Sequence, residues 1–243
     1  MPEDTPVCLV VGAGDFTGSA IARRFAREGL VACVVRRHGE QLALLVEEIE
    51  AAGGRAIAYG VDARDEDQVI DLVDRIEREV GPIEVAVFNI GANVHFSVLE
   101  TTARVYRKVW EMAAFAGFLT GRECAKRMVE RGRGTILFTG ATASVRGSSG
   151  FSAFSSAKHA LRALSHSMAR ELGPKNIHVA HVVIDGAIDT AWIHENFPGA
   201  SELKKVDGLL DPDAIAENYW HLHTQPRTAW TLELDLRPYM ERF

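Results

Sequence analysis

Six short apolar runs, at 7–14, 30–37, 55–63, 83–92, 134–140 and 176–186, are separated by five stretches of helical period. The helical stretches cover 19–29, 39–54, 65–82, 104–131 and a segment that opens near 147 and continues to about 172. Several close on glycine, as at Gly29, at Gly53 and Gly54, and at the Gly81-Pro82 pair, which is how a chain leaves a helix. Apolar strands that alternate with helices require a parallel sheet covered on both faces by right-handed crossovers. The pattern weakens after residue 186, with a short helix expected near 213–223 and an alternating TLELDL strand pattern in the final residues. Repeats, low-complexity linkers and a second core are absent. The expectation is one α/β domain over residues 1–243, a doubly wound Rossmann-type sheet, with an atypical tail from about 224.

A chain of 243 residues, 47% hydrophobic and 25% charged, is ordinary for one such domain with a single large core. Net charge −6, with arginines in pairs (Arg23/Arg24, Arg36/Arg37) instead of patches, argues against nucleic acid as a partner. No apolar run approaches the roughly 20 residues of a membrane span. The acidic MPEDTP start lacks the features of a secretory leader. Cys8, Cys33 and Cys124 are odd in number, widely spaced and without a metal-binding CxxC arrangement; the expectation is buried core residues in a reducing cytoplasm.

Ligands of open α/β sheets bind at the carboxyl ends of the strands. The first such end carries Gly12, Gly14, Asp15, Phe16, Thr17 and Gly18, a glycine turn leading into a helix, where backbone can approach a pyrophosphate. A plain tight turn would read the same way. The second end carries Arg36 and Arg37; a basic residue there suits a 2′-phosphate, although a solvated arginine is equally compatible. The third carries Asp62 and Ala63, a place for a carboxylate to accept from an adenine amino group, and the fourth Asn89 and Gly91. In the last helical stretch, Phe154 and Lys158 stand four residues apart on one face with Ala153, Ala157 and Leu161 as neighbours. Lys158 has two readings: a packed stem with its ammonium snorkelling to water, or a site lysine.

Taken together, the glycine turn, Asp62, Asn89-x-Gly91, the lysine helix and Asp185-Gly186 followed by Thr190 resemble the short-chain dehydrogenase/reductase family over roughly residues 6–190. The resemblance implies a seven-stranded sheet, a nicotinamide cofactor, and a homodimer or homotetramer built on the helices around 104–131 and 152–172. With Arg36, it implies NADP(H) in preference to NAD(H). Lys158, Gly186 and Thr190 would lie against the nicotinamide half, with Lys158 holding its ribose. The sequence departs from the family where chemistry is done. Phe16 replaces the middle glycine of the turn, Phe154 the tyrosine that precedes the lysine by four, Ala141 the serine and Ala114 the asparagine. Phenylalanine has no proton to donate to a developing alkoxide, and alanine cannot stabilise one. The three losses remove polar groups from one pocket together.

A replacement proton donor is therefore sought among His95, beside the Asn89 loop, and Asp185. An exposed or core-satisfied histidine and a loop carboxylate accepting hydrogen bonds are the competing readings. Thr142 neighbours the serine position, whereas Ser155 and Ser156 should point away from Phe154 at helical spacing. Residues 187–212, with Trp192, His194 and Phe197, occupy the place of a substrate-covering lid. The aromatic run around Tyr219 and Trp220 reads as core or interface material. Two function classes follow: an NADP(H)-dependent oxidoreductase of unknown carbonyl or alcohol substrate with a non-standard active site, or a non-catalytic NADP(H)-binding sensor or partner subunit.

Overall fold

The computed structural model describes residues 5–14 and 16–241. Its frame is a sheet of seven strands, all paired in parallel: β1 (Val7–Val11), β2 (Val31–Arg36), β3 (Arg55–Gly60), β4 (Ile83–Phe88), β5 (Gly134–Thr139), β6 (Ile177–Ile184) and β7 (Glu233–Leu236). Their spatial order is β3-β2-β1-β4-β5-β6-β7. The order reverses between β1 and β4, so the crevice at the sheet's carboxyl edge opens there. The strands are shorter than the apolar runs that announce them, because the glycine and polar residues closing each run form the turns beyond the sheet edge.

Burial is near-total along the central strands, and the edge strands β3 and β7 are partly exposed. β1 and β6 read buried at every position, as a doubly covered parallel strand should. One face packs on α3 (Glu66–Glu79), α5 (Ala116–Arg131) and α6 (Ser152–Leu172), with Phe88, Phe138, Leu119 and Leu161 at the centre. The other packs on α1 (Thr17–Arg27), α2 (Ala43–Ala51) and α9 (Pro212–Thr224), around Phe25, Ile21 and Tyr219. Helix starts follow local chemistry: Asp65 caps α3 by accepting from the Gln68 N–H, and Asp211 caps α9 ahead of Pro212. All three cysteines are buried thiols, and desolvation pushes Cys33 up to about 12.

The stretch 104–131 is not uniform. α4 (Ala103–Trp110) passes through one turn of π-helix at Glu111–Phe115 before α5 begins. Such a turn admits an extra residue, and here it sets Ala113 and Ala114 inward, both buried, and leaves Trp110 stacked on Phe115 at 6.0 Å.

The C-terminal tail completes the sheet. β7 is anchored through Glu233, which accepts from Arg162 at 2.6 and 2.7 Å and lies 3.2 Å from His166 and 3.0 Å from His181. The Arg162 hydrogen bonds hold the Glu233 carboxyl down at about 2, while burial pushes His181 down to about 4. Tyr219, fully buried, shares a 2.7 Å hydrogen bond with Thr139 Oγ1, and Trp220 meets Phe25 edge-on at 5.4 Å. Tyr219 is therefore core and Trp220 packs against that core, whereas Tyr239 is exposed. Among the described residues no helix is long and apolar enough to cross a membrane.

Candidate active site

An open cleft of about 770 Å³ runs along the carboxyl edge from β2 to β6. Its floor at the β1–α1 turn is backbone. Gly12 has φ +91°, and a Cβ there would lie 2.8 Å from the Asn89 carbonyl carbon; one at Gly18 would lie 2.4 Å from the Gly12 oxygen. Both glycines are forced by close approach, and Gly18 stands behind the wall. Gly14, by contrast, has open space where a side chain would be. Asn89 fastens the turn by donating from Nδ2 to the Gly12 oxygen at 3.0 Å. Phe16 and Thr17 line the cleft, so the first turn of α1 opens onto it. The Phe16 carbonyl accepts from Ser19 Oγ at 2.7 Å. Asp15 lies outside the described residues.

At the β2–β3 end, Arg36, Arg37, Asp62 and Ala63 line the cleft. Arg64 grips Asp62 through two hydrogen bonds of 2.9 and 2.5 Å, and that guanidinium holds the carboxyl below the usual carboxylate range. Ala63 is buried, and Gly91 has no neighbour within contact distance of an added Cβ.

At the other end, Lys158 is only 2% exposed, which removes the snorkelling reading. Its Nζ donates to the Thr139 oxygen at 2.8 Å and the Ile90 oxygen at 3.1 Å, so it ties the ends of β5 and β4 to α6. It also sits 5.9 Å from the centre of the Phe154 ring. Burial pushes the ammonium down to about 8. An ammonium has three protons to donate, and two are committed to carbonyls. The same wall carries Phe154, Ala141, Ala143, Phe151 and Met112, with Thr142 and Ser155 among its hydroxyl residues.

The two replacement acids are placed differently from what their sequence neighbourhood suggested. Asp185 is 7% exposed but does not line the cleft; Thr142 Oγ1 donates to its Oδ1 at 2.6 Å and Arg237 lies 3.3 Å from its Oδ2. One oxygen accepts from Thr142 and the other is ion-paired with Arg237, so the carboxylate is committed to neighbours behind the wall. His95 is exposed and outside the wall, its ring edge-on to Phe151 at 4.9 Å and resting on Gly150, whose φ is +82°. The loop carrying it is pinned by the Phe96 N–H donating to the Gly150 oxygen at 2.8 Å. Gly186 and Thr190 do line the cleft, and the Thr190 hydroxyl caps α7 (Ala191–Asn196) by accepting from the Ile193 N–H at 3.1 Å.

Ser156 faces solvent and bonds Ser152, as helical spacing requires, but Ser155 is buried against the cleft. It shares a face with Lys158 three residues on, a relation the comparison with Phe154 alone obscures. Arg64, Met112 and Arg146 were also not anticipated. Nothing in their local pattern marks them, since each reaches the cleft through a loop or the π turn.

Residues 187–210 leave the sheet edge and return. They are closed at the base by a bridge of Ile188 to Leu210, with Asp189 N–H to Leu210 oxygen and Leu210 N–H to Ala187 oxygen both at 2.8 Å. The segment carries α7 and α8 (Ala200–Lys205), and an exposed Trp192–Phe197 pair at 6.0 Å. Asp189 binds His194 and Lys204, each at 2.7 Å, and Lys204 holds its carboxyl below the ordinary range.

Residues 6–200 match the sequence model of the short chain dehydrogenases. A solved structure of a short-chain dehydrogenase from Rhodopseudomonas palustris is 51% identical, with TM-score 0.84, and the alignment covers 98% of this chain and 100% of that one. An oxidoreductase of Methylorubrum extorquens is 31% identical over 201 residues, 82% of this chain and 79% of its own length. L-2,3-butanediol dehydrogenase of Corynebacterium glutamicum is 27% identical over 217 residues, 88% of this chain and 81% of that protein.

Proposed function

The chain belongs to the short-chain dehydrogenase family of oxidoreductases, and from that premise we propose that it is an NADP(H)-dependent oxidoreductase of a carbonyl/alcohol couple in which Lys158 itself handles the proton. The residues present fit such a dinucleotide. The turn at Gly12 cannot carry a side chain, Gly14 leaves room for a phosphate, and the first turn of α1 offers N–H groups and a positive dipole end. Arg36, the last residue of β2, and Arg37 just beyond it, both on the cleft wall, support a 2′-phosphate. The bound dinucleotide would supply or take up the hydride.

The observation that carries the chemical reading is the buried Lys158 ammonium, at about 8, in the wall of the cleft beside Phe154. A general acid works best when its pKa lies near the operating pH, and no other titratable group described at this end meets that condition within the cleft. Its third N–H is the proton available to an alkoxide. Thr142, oriented by Asp185, and Ser155 are the hydroxyls nearest in the wall, and His95 closes the rim through Phe151.

A second reading is favoured by the alanines at 114 and 141 and by Phe154: a cofactor-binding protein that does no chemistry. Titration of the purified protein with NADPH and NADH, followed by a pH-dependent screen of carbonyl substrates, separates the readings. The proposal expects NADPH to bind at least tenfold more tightly than NADH. It also expects reduction to fall as pH rises through about 8, where Lys158 loses its proton. Tight binding with no turnover at any pH selects the second reading. Failure of both cofactors at millimolar concentration defeats both.

A further inference from the structure

The cations of the cleft are in different states. Arg64 is committed to Asp62 and Lys158 to two carbonyl oxygens. Arg146 lines the cleft yet its guanidinium has no hydrogen-bond or ion-pair partner among the described residues. Its backbone is held: Arg146 N–H donates to the Thr142 oxygen at 3.0 Å, closing the short 3-10 turn Thr142–Ser144 that follows β5. It is thus a cation on a held backbone, with its charge unassigned.

Its place separates it from the 2′-phosphate end. Arg37 follows β2 and Arg146 follows β5, three strand spacings apart, or about 14 Å at the usual distance between strands. Asp62 is the sole acid among the described residues of the wall, and it lies at the far end with Arg64. The wall that carries Lys158 and Arg146 also presents Phe151, Phe154, Met112, Ala141 and Ala143, with Asn93, Thr142, Ser148 and Ser155 as uncharged polar groups. A guanidinium with five donors in a planar fork matches a carboxylate bidentately.

Resting on the oxidoreductase reading of this cleft, we propose that the substrate is an oxo or hydroxy acid with an apolar body, its carboxylate held by Arg146 while its reacting carbon lies against Lys158. The site recognises an acid that spans the apolar wall, and the neutral ester or amide of the same skeleton lacks the group that Arg146 addresses.

Calorimetric titration of the NADPH-loaded protein with octanoate and octanamide, and with 4-phenylbutanoate and 4-phenylbutanamide, tests this. NADPH affinity is measured first in the same preparation. At least one acid should bind about tenfold more tightly than its amide. Arg146→Met should bring that ratio to about one, Arg146→Lys should retain part of it, and NADPH affinity should not change in either. Equal binding of acid and amide, an acid preference that survives in Arg146→Met, or no binding of either acid overturns the proposal while leaving cofactor binding intact. A parallel loss of NADPH affinity assigns Arg146 to the cofactor and also overturns it. Failure of NADPH itself to bind the wild type is a different result and removes the function on which the proposal stands.

Discussion

At the β1–α1 end of the cleft the walls are made of backbone, whereas at the β5–α6 end they are made of side chains. Gly12 and Gly18 are fixed by contacts of 2.8 and 2.4 Å that any Cβ would create, and Asn89 locks the same turn. Around Lys158, by contrast, the groups are phenyl, methyl and thioether, none of which the fold requires to be polar or apolar. A site written in main-chain geometry cannot lose one component without losing the turn. One written in side chains can exchange hydroxyls for methyls and keep its shape. That asymmetry accounts for a turn that keeps Gly12 and Gly18 under close contact while the wall around Lys158 carries Ala141 and Phe154.

The largest effect expected from breaking the comparison is gain of function at the side-chain end. Phe154→Tyr with Ala141→Ser places a phenol beside the Lys158 ammonium and a hydroxyl in the wall opposite. Positioned general acids contribute roughly 10²–10⁴-fold, so turnover of a simple ketone with NADPH should rise by about a thousandfold over the wild type. Steady-state rates checked at pH 6–9 decide it; an unchanged rate would mean that the wall geometry, and not only its chemistry, differs from the family's.

Next in size is the burial of Lys158. Its folded pKa of about 8 lies below the ordinary 10.5, so between these values the unfolded chain binds more protons than the folded one, and stability rises with pH across that window. The cost relieved amounts to roughly 3 kcal/mol when complete. Buried Cys33 and Tyr219, whose pKa values burial raises, cost stability over the same range in both proteins. Urea unfolding from pH 7 to 10.5 should therefore show the wild type gaining stability relative to Lys158→Met as pH rises. Parallel curves would place the ammonium in water instead.

Smallest is a change at the backbone end. Gly12→Ala combines a positive φ with a 2.8 Å clash, and strain of this kind costs roughly 1–3 kcal/mol. NADPH affinity should fall about tenfold with a modest drop in melting temperature. Retained affinity would show that the turn can shift away from Asn89 and that the backbone end is more tolerant than its contacts indicate.

Much of this was legible in the chain because the signals are local. The six apolar runs, the glycine turn and the Phe154–Lys158 spacing each fall within a few residues, and all describe the same sheet. What escaped depends on distance. Asp185 is occupied by Thr142, 43 residues earlier, and by Arg237, 52 residues later, which no inspection of its own loop reveals. His95 is turned to the rim by Gly150 and Phe151, on a different loop. Ser155 was set aside by helical angle relative to Phe154, although what matters is the face it shares with Lys158. The π turn at Glu111–Phe115 has no sequence mark, because EMAAF would extend an ordinary helix equally well.

The bridge between Ile188 and Leu210 has a consequence for how such a chain can diversify. Once the two ends of an excursion are fastened to each other at the sheet edge, what lies between them is a cassette. The entropy of closing it changes by only about 0.6 kcal/mol for each doubling of its length. Helices α7 and α8 lie within that cassette, so a change of length there is absorbed between Ile188 and Leu210 and leaves the strand pairings of the sheet as they are.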